Sequence, residues 1–332
     1  MQTPANLIFW VLFLAFVALM LAIDLGAFRR RTHLATLAES LAWTALWVSL
    51  AAAFAILLYF YGQRMTGDAL LANRQLSLEF VTGYLVELAL SVDNLFLFLL
   101  IFRAFQLPPA LQHKVLTWGI VGAILMRAAF IAAGVTLLNR FHWINYLFGV
   151  FLIAAGLRLL PQKKQATDPT AAFITRFARK HLRIADAFTG DASAGDAFAG
   201  GAFTTRRNGQ LYLTTLSLVL LVVETTDVFF AVDSIPAVLA VTRQPFIVFT
   251  SNVFAILGLR AFYFALAGLM DRFHLLHYGL AAILIFIGAK MLAANYFQIP
   301  TLYALAAIIA ALAASILLSL LWPTSPASNS AA

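Results

Sequence analysis

The chain has 332 residues, of which 63% are apolar and 11% charged, and its mean hydropathy is +0.91. An ordinary soluble domain is about half apolar and about a quarter charged, so this composition excludes a soluble fold and predicts an integral membrane protein. The net charge of +8 does not indicate a nucleic-acid partner, because the basic residues cluster at the ends of apolar stretches. The chain has no Cys, so a metal ion would take oxygen or nitrogen ligands.

Apolar stretches of roughly 20 residues each predict an all-α polytopic membrane protein with about nine transmembrane helices. In chain order they cover 5–27, 40–61, 79–102, 115–138, 143–160, 211–240, 247–270, 275–293 and 302–322.

These stretches divide the chain into six predicted segments. They are two N-terminal helices (1–78), a first three-helix unit (79–160), a cytoplasmic flexible linker (161–210), a second three-helix unit (211–293), a C-terminal helix (294–322) and a disordered tail (323–332). The linker is assigned from its polar, Gly/Ala/Asp-rich composition.

The distribution of Lys and Arg predicts the orientation in a cell (inner) membrane. With the N-terminus outside, fifteen basic residues fall in cytoplasmic loops and five on the outer side. Because positively charged flanks resist translocation, we expect the N-terminus outside and the C-terminus in the cytoplasm.

An internal repeat relates the two three-helix units. At an offset of 140 or, further on, 133 residues, the matching polar pairs are Glu87 with Asp227, Asp93 with Asp233, Asn94 with Ser234, and Arg127 with Arg260. Three spans separate equivalent helices, so the two copies would cross the membrane in opposite directions. Inverted repeats are typical of secondary transporters, whose sites lie near the midplane. A gene duplication with purely structural consequences is the alternative.

Polar residues inside the third and sixth spans form the candidate metal site. They are Glu87, Asp93, Asn94, Glu224, Asp227, Asp233 and Ser234. Ionisable groups in hydrocarbon are costly, so they persist where they face a cavity, a partner or an ion. This set of hard oxygen donors suits Mn²⁺, Mg²⁺ or Ca²⁺.

Helix geometry limits how these acids can cooperate. Residues six apart, such as Glu87 and Asp93, differ by about 120° around a helix, so either the helix unwinds between them or the second acid faces a neighbour. Pro236 favours unwinding near Asp233 in the sixth span. Glu224 and Asp227 are three apart, about 60° around the axis, and can act together.

Two intramembrane arginines, Arg127 and Arg260, are predicted to balance charge or to gate the site. They could instead neutralise the acids as buried structural pairs. Because the site contains five acidic residues against these two arginines, an excess of negative charge remains for bound cations or protons.

Several motifs resemble those of the TerC family, and the longer ones resemble its Alx branch. They are Ser91-Val92-Asp93-Asn94, Phe230-Ala231-Val232-Asp233-Ser234-Ile235-Pro236-Ala237-Val238 and Thr250-Ser251-Asn252. The likeness covers most of residues 1–300. TerC-like proteins are named for tellurium resistance, and Alx-like members are linked to manganese export. The resemblance therefore implies Mn²⁺ efflux, with the acidic candidates on the matching motif positions.

The expected function is a carrier that exports Mn²⁺ from a midplane site, with the ion as substrate, no permanently bound cofactor and the lipid bilayer as surroundings. A membrane scaffold or stress-response component with structural acids is the alternative. An exporter of organic cations and a channel also remain open, as does the oligomeric state. An enzyme is not expected, because hydrolase and intramembrane protease motifs are absent from the sequence.

Overall fold

The computed structural model of the protein describes residues 4–29, 37–68, 70–141, 143–160, 201–207, 210–267, 275–294, 297 and 299–322. The side chains of Asp93 and Arg260 lie outside this description. So do residues 161–200 of the predicted linker and the predicted disordered tail, 323–332.

The described residues form nine α-helices and one two-stranded hairpin. These elements are α1 (Pro4–Arg29), α2 (Leu37–Thr66), α3 (Asn73–Ala104), α4 (Pro109–Arg140), α5 (Ile144–Leu159), β1 (Thr204–Arg207), β2 (Gln210–Leu213), α6 (Thr215–Leu239), α7 (Pro245–Ala267), α8 (Leu276–Ala293) and α9 (Thr301–Leu321). Each helix coincides with one of the apolar stretches.

Six of these helices, α2, α3, α4, α6, α8 and α9, are long and apolar enough to cross a membrane. Among residues with described side chains, the apolar stretches of α1, α5 and α7 cover Leu7–Ile23, Ile144–Leu159 and Pro245–Leu259. Large apolar side chains are exposed along α1, α2 and α9, as expected where lipid is the solvent. A nearly all-helical membrane protein is therefore confirmed, and the number of nine spans stays a prediction.

The hairpin corrects the sequence analysis in two places. Residues 204–207 belong to a strand rather than to a flexible linker, and residues 210–213 form a second strand instead of the start of a span. The strands are antiparallel, with Thr204 opposite Leu213 and Arg207 opposite Gln210. Asn-Gly at 208–209, between β-branched and aromatic residues, is a strong hairpin signal that the search for apolar runs missed.

Four helices, α3, α4, α6 and α7, form the centre of the bundle. Here α3 packs on α6 and α7, and α4 packs on the same two helices. Outside this group, α2 packs on α3 and α7 through an aromatic cluster that includes Phe54 with Phe80 and Phe254, at ring-centroid distances of 5.1 Å. The central helices are thereby shielded from lipid on one flank.

Glycines allow α5 and α8 to pack in close contact along their length. A Cβ on Gly288 would come within 2.7 Å of the Gly149 carbonyl oxygen, and a Cβ on Gly156 within 2.8 Å of the Ala281 carbonyl oxygen. Such small residues let two membrane helices approach at backbone distance.

Replacing Gly288 by Val should therefore separate α5 from α8. We expect a loss of about 1–3 kcal/mol in the free energy of unfolding, as for overpacked cores. Thermal unfolding of the detergent-purified protein measures it. Ala289→Val, at the exposed neighbouring position, is the control and should leave the unfolding temperature unchanged. Equal stability of the two variants would contradict the packing argument.

Candidate functional site

Polar residues on α3 and α6 recur at a spacing of seven. Glu87 and Asn94 on α3, and Asp227 and Ser234 on α6, are each two turns apart, which places each pair within about 20° on one helix face. All four side chains are buried, and α3 packs directly on α6. The two polar faces therefore meet in the centre of the bundle.

Glu87 is the most deeply buried acid of this group, with 0% of its surface exposed. Arg127 on α4 donates a hydrogen bond from Nη1 to Glu87 Oε2. Asn252 on α7 donates from Nδ2 to Glu87 Oε1 at 2.7 Å. Both carboxylate oxygens thus have partners, which is the condition under which a charge can remain in the core of a membrane protein.

Arg127 also links α4 to α6. Its Nη1 donates to Ser234 Oγ at 3.2 Å, and its Nη2 lies 3.7 Å from Asp227 Oδ1. The guanidinium group therefore stands between two carboxylates that come from different helices. It occupies the position that a cation would take between them.

Several buried polar atoms at this junction have no hydrogen-bond partner. They include Asp227 Oδ2, Asn252 Oδ1 and Arg127 Nε. Leaving a buried polar atom unpaired costs about 1–3 kcal/mol, so native proteins usually pair such atoms with protein, water or a ligand. Two unpaired oxygens beside the arginine are therefore available for a ligand.

Glu224 lies one turn before Asp227 and is half-buried. It lines a small cavity of about 20 Å³ together with Asp227 and Arg127. Its carboxylate lies directly over Gly122 of α4, where a Cβ would overlap both of its oxygens. The Glu224 carboxylate can therefore occupy this position only because residue 122 has no side chain.

A larger cavity of about 230 Å³ lies on the other side of Ser234, between α3, α5, α6 and α8. Asn94, Asp233 and Ser234 contribute the oxygen atoms of its wall, and Arg158 a basic group. Ser234 both lines this cavity and accepts a hydrogen bond from Arg127. Ser234 therefore stands between the larger cavity and the central arginine.

The structure brings together Glu87, Arg127, Asp227, Glu224 and Ser234. Asn94 and Asp233 lie at the wall of the adjoining cavity, while the side chains of Asp93 and Arg260 lie outside the described part. Among the described residues, no three Asp, Glu or His side chains form a preformed metal cluster.

Of the two alternatives, unwinding or a second acid that faces a neighbour, the unwinding that Pro236 favoured in the sixth span does not occur. Both α3 and α6 run as continuous helices through Glu87 and through Asp227 and Asp233. Pro236 lies in the last turn of α6, where only the Val232 carbonyl loses its backbone donor, so the helix does not break.

Sequence reasoning missed two residues of this site. Asn252 follows Thr250 and Ser251 in a largely apolar helix, and an amide in that position is itself a signal that could have identified it. Gly122 gave no signal, because its role depends on a distance between two helices.

Comparison with known proteins identifies the family. Residues 72–327 match the description "Integral membrane protein TerC family". The chain belongs to the TerC family. It is 44% identical over 312 residues to an uncharacterized membrane protein of Myxococcus xanthus, covering 94% of this chain and 92% of the relative. No solved structure matches it.

Other relatives carry the name Alx. A protein of Escherichia coli (strain K12), called "Putative membrane-bound redox modulator Alx", is 44% identical over 301 residues and 90% of each chain. One from Photorhabdus laumondii with the same name is 41% identical over 320 residues and 96% of each chain. The resemblance to the TerC family and its Alx branch is thus confirmed.

Arg127→Met should destabilise the protein strongly, because it leaves the buried Glu87 charge unpaired. We expect a loss of about 3–5 kcal/mol in the free energy of unfolding, measured by denaturation in detergent. Adding Glu87→Gln should recover part of this loss. Arg140→Met, at the exposed end of the same helix, is the control and should change stability by less than about 0.5 kcal/mol. A stable single variant would refute the pairing.

Proposed function

We propose that this TerC-family protein is a secondary transporter that exports divalent metal cations, with Mn²⁺ as the main substrate. The observation that carries the proposal is the central junction of α3, α4 and α6. Among its described side chains, Arg127 stands between the carboxylates of Glu87 and Asp227, and Glu224 lines a small cavity with Arg127 and Asp227. Asp227 Oδ2 and Asn252 Oδ1 have no hydrogen-bond partner. This set has an excess of negative charge and offers only oxygen ligands.

In the proposed mechanism, Arg127 and the substrate compete for the same carboxylates. The guanidinium group holds Glu87 and Asp227 when the site is empty, and a divalent cation displaces it. Asp227, Glu224, Asn94 and Ser234 supply ligands, joined by Asp93 and Asp233 from the matching motif positions. Arg260, the repeat mate of Arg127, has the same charge-balancing role in the second copy. No bound cofactor and no covalent chemistry are needed, so we assign no enzymatic activity.

The packing of the helices supports an inverted repeat, which alternating access requires. The contact of Gly149 with Gly288 has its counterpart in that of Ala281 with Gly156, since 149 matches 281 and 156 matches 288 at an offset of 132. In the same way, α3 packs on α7 as its mate α6 packs on α4. Such reciprocal contacts are what a two-fold axis between the copies would produce.

Export needs a driving force. Moving two positive charges outward against an inside-negative potential costs about 4.6 kcal/mol per 100 mV. Protons entering in exchange, bound by the same carboxylates, would offset this cost. The orientation with the N-terminus outside and the C-terminus in the cytoplasm follows from the Lys and Arg distribution.

Measuring Mn²⁺ flux into proteoliposomes tests the transport proposal. Asp227→Asn and Glu224→Gln should reduce the rate to below about a tenth of the wild-type value, because each removes a ligand charge. Glu39→Gln, at the start of α2, should transport like the wild type. A folded wild-type protein that moves no divalent ion under any gradient would overturn the proposal and favour the membrane scaffold. Transport of organic cations without competition by Mn²⁺ would favour the organic-cation exporter.

A pair of glycine variants tests whether the position of the Glu224 carboxylate matters for Mn²⁺ binding when its charge is kept. Gly122→Ala should displace the Glu224 carboxylate and lower Mn²⁺ affinity by about tenfold, as for lost ligand positioning. Gly258→Ala, on α7 and outside the residues that line this cavity, places its Cβ 3.5 Å from Trp47 Cβ in ordinary contact and should have no effect. Mn²⁺ binding to the purified protein measures both. Equal affinities would show that the Glu224 position does not matter.

Proton coupling predicts that the direction of a pH gradient controls the rate. With acid on the side that receives Mn²⁺, export should accelerate, and reversing the gradient should slow it. The same proteoliposomes, with the membrane potential clamped by K⁺ and valinomycin, provide the measurement. An Mn²⁺ transport rate that does not change with the pH gradient would rule out proton antiport. It would not contradict the proposal that the protein transports Mn²⁺.

A further inference from the structure

A second buried carboxylate, Glu79, lies near the start of α3, two turns before Glu87. Only 5% of its surface is exposed. Gln75 donates a hydrogen bond from Nε2 to Glu79 Oε1 at 3.0 Å, while Glu79 Oε2 is buried and has no hydrogen-bond partner. The junction of Arg127 with Glu87 does not use this residue.

Other segments of the chain bring polar groups to Glu79. Thr242, in the turn after α6, lies beside the carboxylate, and Lys290 in the last turn of α8 and Asp68 after α2 are close enough to act on it electrostatically. Gln244 connects two of these groups by hydrogen bonds, because it donates from Nε2 to Asp68 and from its backbone N–H to Thr242 Oγ1. Polar groups from the α6–α7 turn and the α2–α3 loop are therefore linked to one another close to the Glu79 carboxylate on α3.

Glu79 lies on a row of α3 that leads to the central site. Residues 79, 83 and 87 are spaced by four, so they follow one another along one side of the helix over about 12 Å. Between the two acids, Gly83 leaves the row without a side chain, and a Cβ there would come within 3.0 Å of Ser251 Oγ. Ser251 is the neighbour of Asn252, which binds Glu87. Gly83, packed against Ser251 and Val238, therefore lies between the two carboxylates on α3.

The two acids also share a chemical arrangement. Each is a buried carboxylate that has an amide donor on one oxygen and a basic side chain nearby, Arg127 for Glu87 and Lys290 for Glu79. In both places the basic group offsets a charge that a divalent cation could offset instead. Around Glu79, Asp68 offers carboxylate oxygens, Thr242 a hydroxyl oxygen and Gln244 an amide oxygen. Such oxygens are the ligands of hard divalent cations.

We propose that Glu79 is the centre of a second divalent-cation site, which includes Asp68 and Thr242 and is weakened by Lys290. The proposed binding of a cation at Glu79 rests only on the contacts of Glu79 described above. A role for this second site on the path of a transported cation, between the central site and the membrane surface, rests on the proposed transport function. Exported Mn²⁺ would then leave by way of the end of the bundle where α3 begins.

Equilibrium binding of Mn²⁺ to the detergent-purified full-length protein tests the site, with free Mn²⁺ followed by electron paramagnetic resonance. Two backgrounds are used, the wild type and the central variant Glu87→Gln/Asp227→Asn. In both backgrounds, Glu79→Gln should lower the Mn²⁺ affinity of one class of binding sites by about tenfold. Lys290→Gln should tighten the same class by about threefold or more, since a repelling charge is removed. Glu39→Gln is the control and should change nothing.

The outcomes separate this proposal from the transport function. Unchanged Mn²⁺ binding in folded Glu79→Gln, in both backgrounds, would overturn the second site even if the central variant loses binding and flux. Binding that depends on Glu79 in a protein without flux would confirm the site and refute transport. If Glu79→Gln does not fold, Lys290→Gln decides alone, because an unchanged Mn²⁺ affinity in that variant would also overturn the proposal.

Discussion

The ion pair between Glu87 and Arg127 is the contact on which the centre of this protein depends. A carboxylate with no exposed surface cannot stay charged in a membrane bundle unless both of its oxygens are paired, and here Arg127 and Asn252 pair them. These two partners come from α4 and α7, so the burial of one charge on α3 fixes the position of two further helices. Ser234 adds α6 to the same network. All four central helices are thereby tied together at one point.

This network is complete for Glu87 and incomplete for Asp227. The guanidinium group of Arg127 lies 3.7 Å from Asp227 Oδ1, while Oδ2 has no partner, and Glu224 is held nearby by the space over Gly122. A purely structural pair would be expected to satisfy its own atoms, because unpaired buried oxygens are costly. The asymmetry fits a site that exchanges an internal cation for an external one. The chain has no Cys, so a redox role like that in the relatives' name could not use thiols of this protein.

The same physical arrangement occurs at two depths along α3. Glu79 and Glu87 lie on one row of the helix, each with a basic side chain from another helix near it, and Gly83 lies between them, packed against Ser251. Both carboxylates of this row, Glu79 and Glu87, are buried against other parts of the bundle. A path for a cation requires such a sequence of oxygen groups, since a lone buried charge would trap the ion or exclude it.

The sequence by itself determined the membrane class, the helical content, the family and the acidic residues, because apolar runs and charges in hydrocarbon are local properties of the chain. It also predicted that Arg127 balances charge or gates the site. Only the tertiary structure decided which acid Arg127 binds most directly, that Asn252 joins it, and that Gly122 makes room for Glu224. It further showed α6 to be unbroken at Pro236 and residues 204–213 to form a hairpin. These features depend on distances between segments remote in the chain, which periodicity along one helix does not contain.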